Sequence, residues 1–189
     1  MTSSVFFSIL LLVGDSFAFW ASRRCVLHES IRTAGRRGGC VRDDSFRRWA
    51  IAAVASLRPQ HVVLVVGGND LAHPQYNARI VVHQFHELVC GMLAAGAEAI
   101  TLFPIPPRSA SRSGAVSAAI FHRRRRLTNM LLRRRYRRPS VDLPVAFGSF
   151  VPGENFLGRD GVHPSASGWQ AFGEWLNAEA HPSPNEGPQ

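Results

Sequence analysis

Short apolar runs alternate with longer segments of helical period, and this alternation limits the fold more than any other feature of the sequence. The continuous apolar character of these runs is typical of strands that are buried on both faces. Strands are predicted at residues 5–13, 62–66, 99–103 and, more weakly, 141–147. Helices are predicted at residues 17–23, 43–57, 77–95, 117–138 and 165–180.

The alternation of strands and helices predicts the fold class. Strands separated by helices of this length form βαβ units, which build a parallel sheet. Because such crossovers are right-handed, the helices cover both faces of the sheet. We therefore predict an α/β protein: a three-layer α/β/α sandwich with a central parallel sheet. Residues 104–114, which contain three prolines, are predicted to form a long surface loop near the carboxyl edge of that sheet.

The length and composition of the chain favour one domain. Its 189 residues, 46% of them hydrophobic, can build one core of ordinary size. We predict a single domain over residues 1–181. Residues 182–189 are rich in proline, serine, asparagine and glycine, and we predict a disordered tail there.

The basic residues of the chain are all arginines. They number 22 against 13 acidic residues, which gives a formal net charge of +9. They are densest between Arg123 and Arg138, in the run "RRRRLTNMLLRRRYRR". Its apolar residues recur near helical spacing, so the simpler interpretation is a helix with one packed face and one solvated face. Nucleic acid or another polyanion remains an alternative partner for this region.

Cysteine, histidine and hydropathy patterns exclude several classes of protein. Cys25, Cys40 and Cys90 have no CxxC spacing, which argues against a disulfide framework or a zinc site and favours a reducing compartment. His83 and His86 share a predicted helix but have no third ligand, so we predict no metal and no cofactor. No apolar run approaches the length of a membrane span. We expect an intracellular rather than a secreted protein.

Three polar clusters stand where an open α/β sheet places its ligands, just beyond the carboxyl ends of strands or directly before a helix. The first is "GDS", which ends in Ser16, and the second is "GGND", which contains Asn69. The third is "DGVHP", with Asp160 and His163, immediately before the last predicted helix. Because these segments converge on one edge, we expect their side chains to form one site.

These residue types in this order are typical of nucleophilic catalysis. Ser16 is a weak nucleophile that requires a base, and His163 can accept its proton and later pass it to the leaving group. Asp160 can orient the imidazole from a tight turn. The backbone N–H of Ser16, the side-chain amide of Asn69 and a glycine N–H can stabilise an oxyanion.

The sequence resembles the SGNH or GDSL hydrolase family. The resemblance rests on four blocks in family order: "GDS", a glycine in "RRGGC", "GGND" and "DGVHPS". It implies a flavodoxin-like fold and a serine esterase that forms an acyl-enzyme on Ser16, with short acyl groups on a sugar or lipid-like alcohol as substrates. It also implies an oxyanion hole made by Ser16, Asn69 and Gly39, with Gly38 as the alternative glycine. Similar domains occur within retroelements, where an esterase and RNA association go together.

Two alternatives to this interpretation remain, and the first depends on how the N-terminal apolar run is read. The stretch "LLLVGDS" at residues 10–16 could be the apolar core of a signal peptide. However, Met1 to Ser4 contain no arginine, and cleavage after the run would remove Ser16, so we predict a strand. A secreted esterase with a different start is one alternative. The other is the same fold with an idle site, which binds a polyanion through its arginine-rich helix.

Overall fold

The computed structural model describes residues 9–109 and 116–181. Within these residues, no helix combines the length and the apolar character that crossing a membrane requires. The strands are β1 (Leu10–Gly14), β2 (Ile31–Gly35), β3 (His61–Val65), β4 (Ala99–Leu102) and β5 (Val145–Phe147). The helices are α1 (Ser16–Arg24), α2 (Asp44–Leu57), α3 (Gly68–Leu71), α4 (Ala78–Ala94), α5 (Ala118–Arg135) and α6 (Ala166–Ala180).

The five strands form one parallel sheet in the order β2-β1-β3-β4-β5. The chain runs outward from β1 in one direction to β2, and then returns to β3 on the other side. The order therefore reverses between β1 and β3, which is the position where open α/β sheets bind their ligands. Helices cover both faces, so the predicted α/β/α sandwich is confirmed.

The alternation of side chains along β1 explains its continuous apolar sequence. Leu11 and Val13 point to one face and belong to the core beneath α2, α4 and α5. Leu10 and Leu12 point to the other face, where α1 and α6 pack. Successive side chains of a strand point to opposite faces, so β1, with helices on both sides, has no position that faces solvent.

Strand β2 is absent from the predicted elements. It lies at the edge of the sheet, and only Ile31 among its five residues is buried, while Arg32 is exposed. An edge strand with one covered residue leaves no apolar run to detect. The strand predicted at residues 141–147 is correspondingly too long, because β5 spans only Val145–Phe147. Residues 5–8 of the first predicted strand and the predicted tail at 182–189 lie outside the described residues.

Two further predictions are wrong: the end of the arginine-rich helix and the exposure of the loop before it. The helix ends at Arg135 rather than at residue 138, because Tyr136 turns into the core and its hydroxyl lies 3.1 Å from His86 Nδ1. The described part of the predicted surface loop, residues 104–109, is mostly buried. There Ile105 exchanges two hydrogen bonds of 3.0 Å with the side-chain amide of Asn129 on α5.

Some arginines of α5 contribute to packing. Arg124 donates hydrogen bonds to the carbonyl oxygens of Leu71 and His73, at 2.8 and 2.7 Å, and its guanidinium lies 4.8 Å from the ring centroid of Tyr76. This arginine therefore joins α5 to the segment that follows β3. Others on this stretch are exposed: Arg123, Arg126, Arg133, Arg134, Arg135, Arg137 and Arg138.

Gly35 permits the close packing of α1 on the end of β2. A Cβ atom at this position would lie 2.0 Å from the backbone nitrogen of Phe19 and 2.3 Å from its Cα atom. Because backbone atoms cannot move aside as a flexible side chain can, we expect Gly35→Ala to destabilise the fold by about 3 kcal/mol, the upper end of the usual cost of overpacking. Thermal unfolding followed by circular dichroism measures this loss. Gly153→Ala is the control, since a Cβ there meets nothing within 4 Å; equal stability of the two variants would contradict the prediction.

Candidate active site

Ser16 lies where β1 ends and α1 begins. Asp15 caps the helix, and its carboxylate accepts a hydrogen bond of 2.9 Å from the backbone N–H of Phe17. Asp15 is buried, and burial raises the pKa of its carboxyl group. Ser16 is the first residue of α1, so its backbone N–H is at the positive end of the helix dipole. The sheet topology thus places a hydroxyl and a helix N-terminus together beside the point where the strand order reverses, between β1 and β3.

Asp160 and His163 belong to one tight turn that precedes α6. Asp160 Oδ1 accepts hydrogen bonds of 2.9 Å from the backbone N–H groups of Val162 and His163. Gly161 has a φ of +64°, a conformation that favours glycine. The base of the turn is closed by a 2.8 Å bond from the N–H of Gly158 to the carbonyl oxygen of His163. These contacts hold the carboxylate and the imidazole in a fixed relation.

The two segments meet in a hydrogen-bonded chain of three side chains. His163 Nδ1 lies 2.7 Å from Asp160 Oδ2, and His163 Nε2 lies 3.0 Å from Ser16 Oγ. The carboxylate favours the tautomer with its proton on Nδ1, which leaves Nε2 free to accept the hydroxyl proton of Ser16. Burial pushes the pKa of Asp160 upward, but hydrogen bonds from His163 and Val162 outweigh it and hold the pKa at about 2. The carboxylate is therefore ionised near neutral pH.

The side-chain amide of Asn69 is held at both of its polar atoms. Nδ2 donates a 3.0 Å hydrogen bond to the carbonyl oxygen of Gly39, and Oδ1 accepts a 3.2 Å hydrogen bond from Arg108 Nη2. Arg108 is only 5% exposed. Because its guanidinium can only donate, it fixes the orientation of the amide, with the oxygen toward Arg108 and the nitrogen away from it.

The loop between β2 and α2, residues 36–43, contains Gly38 and Gly39 and is called the glycine loop below. A buried carboxylate holds it. Asp70 is 1% exposed and accepts hydrogen bonds from the backbone N–H groups of Val41 and Arg42, at 3.0 and 3.1 Å. Burial raises the pKa of Asp70 to about 6. Within this loop the N–H of Gly39 already donates to the carbonyl oxygen of Arg36, at 3.0 Å. The neighbouring Gly38 has a φ of +75° and lines the open space above Ser16.

A cavity of about 920 Å³ brings these residues together. Of the residues predicted from sequence, those that line it are Ser16, Gly38, Asn69, Asp160 and His163. Gly39 is buried behind this surface and contacts Asn69 through its carbonyl oxygen. Further lining residues are Trp20, Arg24, Arg37, Arg108, Arg159 and Trp169.

Comparison with known proteins identifies the family of this chain. The sequence model of the GDSL-like lipase/acylhydrolase family matches residues 12–171, which contain every residue of the hydrogen-bonded chain. The chain belongs to this family. As a GDSL-like acylhydrolase it is a carboxylic ester hydrolase. A search of curated protein sequences found no significant match.

Solved structures share the fold of this GDSL-like acylhydrolase at low sequence identity. A GDSL-like lipase from Bacteroides thetaiotaomicron has a TM-score of 0.73 at 15% identity, with 95% of this chain and 91% of that chain covered. A lipase/acylhydrolase from Enterococcus faecalis has a TM-score of 0.63 at 17% identity, with coverage of 90% and 94%. An acetylxylan esterase from Geobacillus stearothermophilus has a TM-score of 0.59 at 15% identity, with coverage of 92% and 94%.

Sequence reasoning missed Arg108 and the role of Asp70. A signal for Arg108 existed, because it follows the third predicted strand, at the carboxyl edge where the other polar clusters lie. Its buried position contradicts the assignment of this segment to a surface loop. Asp70 stands beside Asn69 in the "GGND" block, but the loop that it holds is distant in sequence and gives no local signal.

The remaining candidate ligands do not gather at this site. Among residues 9–109 and 116–181, no three histidine, cysteine, aspartate or glutamate side chains meet in an arrangement that could hold a metal ion. His83 Nε2 lies 3.5 Å from Glu87 Oε1, and His86 faces Tyr136. Cys40 lies in the glycine loop, where burial raises the pKa of its thiol to about 12. This thiol is therefore protonated at neutral pH and unsuited to act as a nucleophile.

Proposed function

We propose that this acylhydrolase is a serine esterase that cleaves carboxylic esters through an acyl-enzyme on Ser16. One observation carries the proposal: the hydrogen-bonded chain from Asp160 through His163 to Ser16 lies in the wall of a cavity large enough for a small ester. A nucleophile, a base within reach of its proton and a group that orients the base are the parts that acyl transfer requires.

In the acylation step, Ser16 Oγ attacks the ester carbonyl carbon while His163 Nε2 accepts the hydroxyl proton. The positive charge that develops on the imidazole is stabilised by the carboxylate of Asp160, 2.7 Å from Nδ1. The tetrahedral intermediate then collapses, the bond to the alcohol oxygen breaks, and His163 returns its proton to that oxygen. Ser16 is left as an acyl ester. Water, activated by His163, reverses this sequence and releases the carboxylic acid.

The oxyanion hole consists of the N–H of Ser16, the amide nitrogen of Asn69 and a glycine N–H. Arg108 and Gly39 hold the Asn69 amide so that one of its two N–H bonds stays available to the oxyanion. For the glycine we favour Gly38 over Gly39. The N–H of Gly39 is used in a turn to Arg36, whereas Gly38 lines the cavity.

Short acyl groups such as acetyl, on a sugar or a lipid-like alcohol, are the substrates that we propose for this site. The acetylxylan esterase among the structural neighbours supports an acetyl ester. The indole of Trp169 lines the cavity and offers an apolar wall for the acyl group or a sugar face.

Covalent labelling tests the proposal directly. A fluorophosphonate probe reacts with an activated serine, and tandem mass spectrometry of the digested protein locates the adduct. We expect a single adduct on Ser16, and denaturation before labelling should abolish it because the activating histidine is then lost. An adduct on another serine, or equal labelling of the denatured chain, would contradict the assignment of the nucleophile.

Loss of the Asn69 amide should impair the chemical step. Removal of one oxyanion donor costs roughly 10²- to 10³-fold in kcat, so we expect a reduction of this order for Asn69→Ala. Steady-state hydrolysis of p-nitrophenyl acetate measures it. Asn77→Ala is the control: this residue caps α4, so its loss lowers the free energy of unfolding by about 1 kcal/mol without touching the cavity. An Asn69→Ala enzyme as active as this control would remove the amide from the mechanism.

Binding of nucleic acid or another polyanion by the stretch from Arg123 to Arg138 remains a prediction. The exposed arginines of this stretch are the observation that keeps it testable. Fluorescence anisotropy with labelled RNA should show binding that weakens steeply with salt if these side chains contact phosphates. Substitution of Arg133, Arg134 and Arg135 by glutamine should weaken this binding if the stretch contacts the RNA. Unchanged binding would contradict the prediction.

A further inference from the structure

Arginines surround the cavity that holds Ser16. Arg24, Arg37 and Arg159 lie on its exposed rim, and Arg108 lies buried at its floor. Within the described residues, the only carboxylate in the cavity lining is Asp160, which is already hydrogen-bonded to His163. The cavity lining therefore carries four guanidinium groups against one carboxylate, a clear excess of positive charge.

The three rim arginines have no ion-pair partner in the described part of the chain. The salt bridges found there involve Arg47 and Arg48 with Asp44, and two histidine–carboxylate pairs. Arg24, Arg37 and Arg159 thus remain available to a ligand. Their positions come from three separate segments: the end of α1, the loop after β2 and the turn that carries Asp160.

Trp20 holds two of these arginines near the cavity. The guanidinium carbon of Arg24 lies 5.8 Å from the centroid of its indole, and that of Arg37 lies 5.9 Å away. These distances are within the range of cation–π attraction, which favours an ordered guanidinium over a freely solvated one. Because Trp20 itself lines the cavity, charge and an apolar surface are combined at the same place.

We infer that the natural ester carries a negatively charged group, which the rim arginines bind while Ser16 attacks the carbonyl. This inference rests on the proposed serine esterase and names the charge class of its substrate. A carboxylate, sulfate or phosphate on the substrate would relieve the mutual repulsion of three unpaired cations and form charge-assisted hydrogen bonds with them. A cleft lined by charge of one sign also raises the local concentration of an oppositely charged substrate.

Matched esters test the inference on the intact enzyme. The first pair is 4-acetoxybenzoate and 4-acetoxybenzamide, which differ in charge on the alcohol side. The second pair is mono-4-nitrophenyl adipate and 4-nitrophenyl hexanoate, which differ in charge on the acyl side. We expect kcat/KM to be on the order of tenfold higher for the anion of at least one pair at low salt, and this ratio to fall as salt screens the cavity. The pair that shows the preference identifies the charged side.

Variants separate the rim from the general charge of the protein. The triple variant Arg24→Gln, Arg37→Gln and Arg159→Gln should bring the anion-to-neutral ratio close to one. The control carries the same change of net charge at exposed arginines away from the cavity: Arg79→Gln, Arg134→Gln and Arg138→Gln. Its ratio should stay near that of the parent. Two results would overturn the inference. One is equal kcat/KM for the anionic and neutral esters in the parent, and the other is an equal fall of the anion-to-neutral ratio in both triple variants.

Binding to the Ser16→Ala variant keeps this test independent of catalysis. Isothermal titration calorimetry with 4-acetoxybenzoate and 4-acetoxybenzamide should show tighter binding of the anion, and the rim substitutions should abolish the difference. If the parent hydrolysed no ester but the variant still preferred the anion, the proposed chemistry would fail and the anionic site would stand. If hydrolysis depended on Ser16 without any charge preference in rate or binding, the anionic site would fail and the esterase would stand.

Discussion

Replacement of Ser16 by alanine is expected to lower kcat/KM for p-nitrophenyl acetate by about 10⁴-fold or more, because no acyl-enzyme can form. The hydroxyl is the only hydrogen-bond partner of His163 Nε2 among the described residues, so its loss leaves the base without a nucleophile to activate. Residual hydrolysis would come from water and the oxyanion donors alone. The initial rate of p-nitrophenol release measures the effect.

A second serine on the same helix provides the matched control. Ser22 is exposed on α1, and its hydroxyl only donates a long 3.4 Å hydrogen bond to the carbonyl oxygen of Phe19. Ser22→Ala should retain the activity of the parent, and circular dichroism should show that both variants are folded. If Ser16→Ala retained more than about 1% of the activity, catalysis through an acyl-enzyme on this serine would be refuted.

Replacement of His163 by alanine should cause a loss similar to that of Ser16→Ala, and the double variant should be no worse than either single variant. The two side chains act as one unit across the 3.0 Å contact, so their effects on kcat are far from additive. Single-turnover hydrolysis by the three variants checks this. Losses that multiply in the double variant would mean that the two residues act independently.

Asp160 gives the stability of the fold a dependence on acidic pH. The pKa of Asp160 is about 2, below its ordinary value, so the ionised carboxylate and the hydrogen bonds that it accepts persist well below neutrality. Because the folded-state pKa is lowered, the stability that this carboxylate contributes is present above about pH 4 and disappears as the pH falls toward 2. Asp160→Asn should remove this dependence from the unfolding curve.

The sequence predicts the interior of this fold better than its margins. Central strands such as β1 are covered on both sides and form unbroken apolar runs. Strand β2 and the short helix α3 have no such pattern, because one is a half-exposed edge and the other is a single turn between two loops. The boundary at Tyr136 depends on a contact with a different helix, which no local pattern contains.

The residues of the site also differ in whether local sequence predicts them. Ser16, Asn69, Asp160 and His163 follow from motifs at the ends of predicted elements, and the structure brings them to one cavity. Arg108 does not follow from any motif, since its importance comes from its contact with Asn69 across 39 positions of sequence. The choice between Gly38 and Gly39 likewise depends on which N–H a turn already uses, a detail of backbone geometry.

The two hydrogen bonds of the His163 imidazole depend on different parts of the structure. Its bond to Asp160 is made within one short turn, whereas its bond to Ser16 joins segments that are 147 positions apart. The carboxylate and the imidazole keep their relation as long as this turn is intact. The distance from the imidazole to Ser16 depends instead on how α1 packs against α6, through contacts such as Phe17 with Trp169 and Phe172. If gentle warming loosens these two helices before the whole fold melts, we expect Ser16 to separate from His163 while Asp160 and His163 stay together. Activity measured beside circular dichroism during heating should then fall before the melting transition and return on cooling.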